Sequence, residues 1–205
     1  MSVVVLISGR GSNMQALLDE GLPVSAVISN EPGAAGLAIA AQRGITTVVV
    51  PHKDFASREA FDDALAREID RFLPGLVALA GFMRVLTPGF VRRYRDRMLN
   101  IHPSLLPAFP GLNTHQRALA EGVKLHGCSV HFVTADLDHG PIVAQAAIPV
   151  RRDDTAVSLA ARVLRQEHVI YPRAVRWFLD GRLVIANGAV SVKGNDAQLV
   201  FDDSP

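Results

Sequence analysis

The chain has 205 residues, 49% hydrophobic and 20% charged, which suits one domain around a single sizeable core and excludes a disordered or fibrous chain. Its net charge of +1 creates no global field that would recruit nucleic acid or a membrane, so an anionic ligand has to be held locally. The sole cysteine, Cys128, excludes an internal disulfide and a multi-thiolate zinc site and favours a reducing compartment.

At the N-terminus, Val3–Ile7 is a short apolar run rich in β-branched residues, which predicts a strand buried on both faces. No basic segment precedes it, and Gly9-Arg10-Gly11 interrupts it far short of a membrane span, so a cytoplasmic protein is expected. Met14, Leu17 and Leu18 follow at helical spacing. Val24–Ser29 is the next strand, residues 36–43 a helix and residues 46–50 a third strand. Ser57 opens a helix reaching residue 71, with Phe61, Leu65, Ile69 and Phe72 on its buried face. Residues 76–80 and 98–101 are further strands, the second preceded by a basic helix containing Arg92, Arg93 and Arg95. This alternation predicts an α/β, Rossmann-like, mostly parallel twisted sheet with helices on both faces. From about residue 125 the rhythm changes. Residues 125–134 and 142–150 read as an antiparallel pair, followed by a helix from Thr155 to about residue 179 that Pro172 is expected to kink. Asn187-Gly188 closes a hairpin of residues 182–185 and 189–192, and residues 194–205 read as a frayed tail.

In parallel sheets ligands sit beyond the carboxyl ends of the strands, where Gly11, Gly81, Asn100 and His102 fall. Ser8-Gly9-Arg10-Gly11-Ser12-Asn13 joins a strand to a helix, and glycines there let backbone amides approach an anion. Met14 occupies the third glycine position of a dinucleotide fingerprint, and Glu31 lies in a turn beyond the strand. A monophosphate site is therefore favoured over a dinucleotide site or a purely structural turn. In Asn100-Ile101-His102-Pro103-Ser104-Leu105-Leu106-Pro107 the amide and the imidazole are two residues apart and share one side of extended backbone. A neutral donor beside a group that carries a proton near pH 7 suits stabilisation of oxygen charge; a structural strand end is the alternative. Asp138 lies in the turn between the two late strands, either as an ordinary turn residue or as a carboxylate reaching His102 and favouring its charged form. Ser129 and His131 share one strand face and are expected to line the same cleft, whereas His126 and His131 make a poor metal pair. A catalytic metal is not expected. Gly81-Phe82-Met83-Arg84-Val85-Leu86 could hold a flat, amide-bearing heterocycle or belong to the core, and Glu167 stands in a helical run.

Together these segments resemble the folate-dependent glycinamide ribonucleotide formyltransferase family. The similarity rests on S-G-x-G-S-N at positions 8–13, L-A-G-F-M-R at 79–84 and N-I-H-P-S-L-L-P at 100–107. Pro110-Gly111, His126-Gly127, Leu137-Asp138, Gly140-Pro141 and Gln166-Glu167-His168 continue it. The resemblance implies a single formyltransferase domain over 1–205, with a phosphate-binding half to about residue 100, a folate and catalytic half over about 101–193 and a tail over 194–205. It further implies transfer of a formyl group from the co-substrate 10-formyltetrahydrofolate to the amine of glycinamide ribonucleotide. Asn100, His102 and Asp138 become the catalytic trio, and Gly11, Ser12 and Asn13 the phosphate site. Glu167, Gln166 and Pro103 fall near the ribose and glycinamide end. Arg58, Met83, Arg84, Val85, Leu86, Asn100, Thr134, Ala135, Asp136, Leu137 and Asp138 would hold the folate, with Ser129 and His131 in support. Small molecules are the implied partners of a monomer or homodimer, without metal, nucleic acid or membrane.

Arg10 in the phosphate loop, His139 beside Asp138, and Leu164 and Arg165 on the late helix depart from the family's commonest pattern without removing a required group. Methionyl-tRNA formyltransferase would need a large C-terminal domain where little more than a hairpin and tail follow residue 180. Formyltetrahydrofolate hydrolase would need an N-terminal regulatory domain ahead of a strand that starts at Val3. A non-catalytic nucleotide-binding module would not need the whole trio.

Overall fold

β1 (Val3–Ile7) is buried at all five positions, as a strand covered on both faces must be. The alternation continues through α1 (Ser12–Asp19), β2 (Val24–Ser29), α2 (Ala35–Gln42), β3 (Thr46–Val49), α3 (Arg58–Asp70), β4 (Leu76–Leu79), α4 (Pro88–Arg93) and β5 (Met98–His102). The strands pair in parallel in the order β5-β4-β1-β2-β3. Period two sorts β1 onto two helical layers. Val4 and Leu6 join Phe61, Leu65 and Ile69 of α3 and Phe90 of α4 in one apolar cluster. From the opposite face, Ile7 Cδ1 lies 2.6 Å from where a Cβ on Gly36 of α2 would stand. Burial of each large side chain such as Phe61 contributes on the order of 1.5–3 kcal/mol. Ser57 and Thr87 cap α3 and α4 through their side-chain oxygens. Asp62, buried in α3, accepts the Thr87 N–H at 2.6 Å and ties the two helices together.

The computed structural model describes residues 1–202 and comprises two compact units. The first is Met1–Asn100 with Val133–Ala135, the latter joined by a hydrogen bond from Val133 N to Met98 O. The second starts at the last two residues of β5 and holds α5 (Thr114–Ala120), β6 (Leu125–Phe132), β7 (Ile142–Pro149), α6 (Ala156–Leu179), β8 (Leu183–Ala186), β9 (Ala189–Val192) and β10 (Leu199–Phe201). β6 and β7 are antiparallel, and α6 packs along both. The strands approach so closely that a Cβ on Gly127 would stand 1.9 Å from Ala146 O. Thr155 opens α6 with a capping box formed with Ser158, and the helix is continuous on both sides of Pro172. Asn187 and Gly188, both at positive φ, close the β8–β9 hairpin.

Two expectations are corrected. The tail is not frayed: Leu199–Phe201 pairs in parallel with β7, and Asp202 N donates to Ala147 O. Asp196 accepts from Trp177 Nε1 and pairs with Arg182, which leads the chain back to the sheet edge. An apolar triplet after a polar turn is too short to signal a strand until that edge is available; residues 203–205 of the expected tail lie outside the described residues. The basic helix ends at Arg93, with Arg95 beyond it. The register shift between β6 and β7 leaves Val143 of β7 as the extra residue, so β6 runs unbroken through Ser129, Val130 and His131.

Candidate active site

His102 ends β5 with its side chain buried in the second unit. Its Nε2–H donates to Phe109 O at 3.1 Å, while Nδ1 faces Asp138 Oδ2 at 3.5 Å. A carbonyl has no proton to give, so the Phe109 contact fixes Nε2 as a protonated nitrogen. Nδ1 is then the atom that gains or loses the proton, and it faces the carboxylate.

Asp138 adopts a left-handed backbone with φ of 52°. For a residue other than glycine this costs of order 1–3 kcal/mol and persists only where the surroundings enforce it. Gly111 N–H donates to its Oδ2 at 2.8 Å, and His131 Nε2 lies 3.8 Å from its Oδ1. Burial pushes the His131 imidazole below the usual histidine range, an effect only partly opposed by the Phe132 carbonyl on Nδ1 and by Asp138. Asp138 thus has a buried imidazole on one side and the His102–Nδ1 proton site on the other.

The loop between these groups is tied down atom by atom. Ser129 Oγ accepts from Leu106 N at 3.0 Å and donates to Ser104 O at 2.7 Å, and Gln145 Nε2 donates to both Ser129 Oγ and Leu106 O. Ser104 Oγ bonds Ala108 O, and Thr114 Oγ1 bonds Pro103 O. Ser129 supports the loop that follows His102, whereas His131 meets Asp138 directly.

In the first unit, Gly11 at φ of 77° turns the chain into α1, and its missing Cβ would stand 2.8 Å from Gly36 Cα. Gly36 N donates to Gly9 O, so backbone packs on backbone and leaves Ser12 and Asn13 at the start of the helix. Ser8 Oγ donates to Asn30 at 2.5 Å and accepts from Met83 N at 2.7 Å, joining this loop to the segment after β4.

The pattern of the formyl transferase family matches residues 1–175. Phosphoribosylglycinamide formyltransferase of Escherichia coli is 51% identical over 95% of this chain and 94% of its own length. The chain belongs to the phosphoribosylglycinamide formyltransferase family. The crystal structure of phosphoribosylglycinamide formyltransferase from Anaplasma phagocytophilum matches with a TM-score of 0.94 and 42% identity over 99% of each chain. The human trifunctional purine biosynthetic protein adenosine-3 is 45% identical over 94% of this chain but only 19% of its own length.

The remaining residues expected from the formyltransferase resemblance fall as follows. Met83 and Val85 are exposed at 66% and 52%, while Leu86 lies in the core cluster of the first unit. Arg84 has a buried Nε without a hydrogen-bond partner, and Arg58 is exposed at the start of α3. Asn100 faces Leu79 in the register of β5 with β4. Thr134 and Ala135 belong to the first unit; Asp136, Leu137 and Asp138 belong to the second. Pro103 accepts from Thr114. Gln166 and Glu167 are buried on α6, where Gln166 donates to Asp202 and the Glu167 charge reinforces burial in pushing the Cys128 thiol up. Among the described residues no helix is long and apolar enough to cross a membrane, and no group of three or more His, Cys, Asp or Glu is placed to hold a metal.

Sequence reasoning passed over Phe109, Gln145 and Thr114, and named Gly111 only as part of a motif. Phe109 and Gly111 act through backbone atoms, which carry no residue signature. Gln145 gave no signal in a strand that is otherwise almost entirely apolar.

Proposed function

We propose that the protein transfers the formyl group of 10-formyltetrahydrofolate to the amine of glycinamide ribonucleotide, giving N-formylglycinamide ribonucleotide and tetrahydrofolate. The observation that carries the mechanism is the His102–Asp138 pair, with Nδ1 facing the carboxylate and Nε2 committed to Phe109 O. The substrate amine attacks the formyl carbon, a C–N bond forms, and the carbonyl oxygen becomes an oxyanion. Asn100 donates to that oxygen, and the His102 imidazolium, whose two N–H groups face Phe109 O and Asp138, stabilises it through its positive charge. Asp138 sustains the imidazolium and, through water, takes the proton released by the amine. The folate nitrogen gains a proton as its bond to the formyl carbon breaks and the carbonyl re-forms. This accounts for every proton without a covalent enzyme intermediate.

Gly11, Ser12 and Asn13 are assigned to the nucleotide phosphate, supported by the glycine-enforced turn at a helix N-terminus. Glu167 and Pro103 are assigned to the ribose and glycinamide end, with Gln166 bracing α6 from its contact with Asp202. Arg58, Met83, Arg84, Val85 and Leu86, with Asn100, Thr134, Ala135, Asp136, Leu137 and Asp138, are assigned to the folate. The exposure of Met83 and Val85 supports this, since apolar side chains held out of the core suit a flat heterocycle.

A two-substrate assay tests the reading. Formylated nucleotide is expected only when both glycinamide ribonucleotide and formyl folate are supplied. Hydrolysis of formyl folate alone at a comparable rate would replace transfer by hydrolase chemistry, and nucleotide binding without turnover would reduce the protein to a binding module.

A further inference from the structure

Arg117, an exposed residue of α5, makes contacts that the transfer reaction as described above does not use. Its Nη1 donates to Pro110 O at 2.5 Å and reaches Leu112 O at 3.5 Å. Its guanidinium carbon stands 5.5 Å from the centroid of the Phe109 ring. These residues are the loop that contacts both members of the catalytic pair: Phe109 O accepts from His102 Nε2, and Gly111 N–H donates to Asp138 Oδ2. Pro110 C=O and Gly111 N–H belong to the same peptide unit. A single amide therefore has a guanidinium on its oxygen and a carboxylate on its nitrogen.

We propose that Arg117 is a positioning residue that polarises the Pro110–Gly111 peptide and thereby orients and stabilises the Asp138 carboxylate. A cation at a carbonyl oxygen draws electron density along the amide and makes its N–H a stronger donor; chains of hydrogen bonds strengthen one another in this way. The loop also needs an external tie. Phe109 and Asn113 have φ of 53° and 57°, the left-handed region that residues other than glycine rarely adopt. Arg117 covers the Phe109 ring, and the His126 ring meets it edge-on at 5.9 Å. The titratable groups facing Asp138 are His102 from the end of β5 and His131 from β6. His115 and His126 stand behind Phe109, sharing a hydrogen bond of 3.2 Å.

The proposal rests on His102 and Asp138 being the catalytic pair, so its test has one arm that needs turnover and one that does not. In the kinetic arm, Arg117→Ala is expected to lower kcat about three- to ten-fold, as a screened contact acting through one peptide would. KM for glycinamide ribonucleotide stays unchanged, and the acid limb of the kcat profile moves to higher pH. Arg117→Lys, which keeps a cation at Pro110 O, restores most of the rate, and Arg117→Gln falls between the two. In an Asp138→Asn background Arg117→Ala has no further effect. In the second arm, carbon-13 titration of the Asp138 carboxyl in the intact protein moves to a higher midpoint in Arg117→Ala. An unchanged carboxyl midpoint in folded Arg117→Ala and Arg117→Gln overturns the proposal. So does an Arg117→Ala penalty that persists in Asp138→Asn. A shifted midpoint in a protein that transfers no formyl group upholds the coupling and removes the catalytic reading instead.

Discussion

In the first unit the loop before α1 takes its shape from steric contact: Gly11 and Gly36 lie back to back, with no room for a Cβ on either. In the second unit the His102–Asp138 pair takes its geometry from hydrogen bonds to the Phe109 carbonyl and the Gly111 amide. The first arrangement contains no titrating group and fails only when a side chain is added. The second depends on charge, so it can fail through a change of one atom or of pH. This difference matches the assigned tasks, since a phosphate needs a rigid cradle and a proton transfer needs groups whose charge changes.

The largest effect that tests the comparison is expected at Asp138. Asp138→Asn keeps the shape and an oxygen for Gly111 N–H but removes the charge opposite His102 Nδ1. Turnover should fall about 10²–10⁴-fold, the usual contribution of a positioned proton-transfer group. Calorimetric binding of glycinamide ribonucleotide should survive, because its phosphate is assigned to the other unit. Near wild-type turnover in this variant would remove Asp138 from the chemistry. Gly11→Ala should behave in the opposite sense. The new Cβ meets Gly36 Cα at 2.8 Å in a left-handed backbone, costing of order 1–3 kcal/mol. Nucleotide affinity should drop while kcat at saturating nucleotide keeps its pH profile. If that profile moves with affinity unchanged, the two regions are not independent.

The first unit was largely legible in the sequence because parallel strands buried on both faces leave continuous apolar runs, and Val3–Ile7 and Val24–Ser29 appear with those bounds. The asparagine, histidine and aspartate of the candidate site were legible as motif residues. Their supports were not: Phe109 and Gly111 contribute main-chain atoms, which any residue possesses. β10 was missed because Leu199, Val200 and Phe201 become a strand only against the edge of β7. Arg117 carries no mark in the sequence, because what distinguishes it is a main-chain oxygen of Pro110 and the Phe109 ring beside it.

The smallest effect is expected in the pH dependence of stability, and it should also separate the two units. His115, His126 and His131 all lie in the second unit, and burial pushes each imidazole down, His126 to about 4. Each unfolded imidazole takes up its proton near pH 6.5, before the folded one does. Between those values the unfolded state holds more protons, so stability falls as pH drops and is fully present only above about 6.5. For His126 the window runs from about 6.5 down to about 4. His126→Phe removes one titrating group and keeps an aromatic edge against Phe109. The decrease in Tm between pH 7 and pH 5 should therefore be smaller in His126→Phe than in the parent protein. An equal decrease in both would mean that the buried histidines do not set the acid sensitivity. The contrast between a steric first unit and a charge-dependent second unit would then fail for stability, even where it held for turnover.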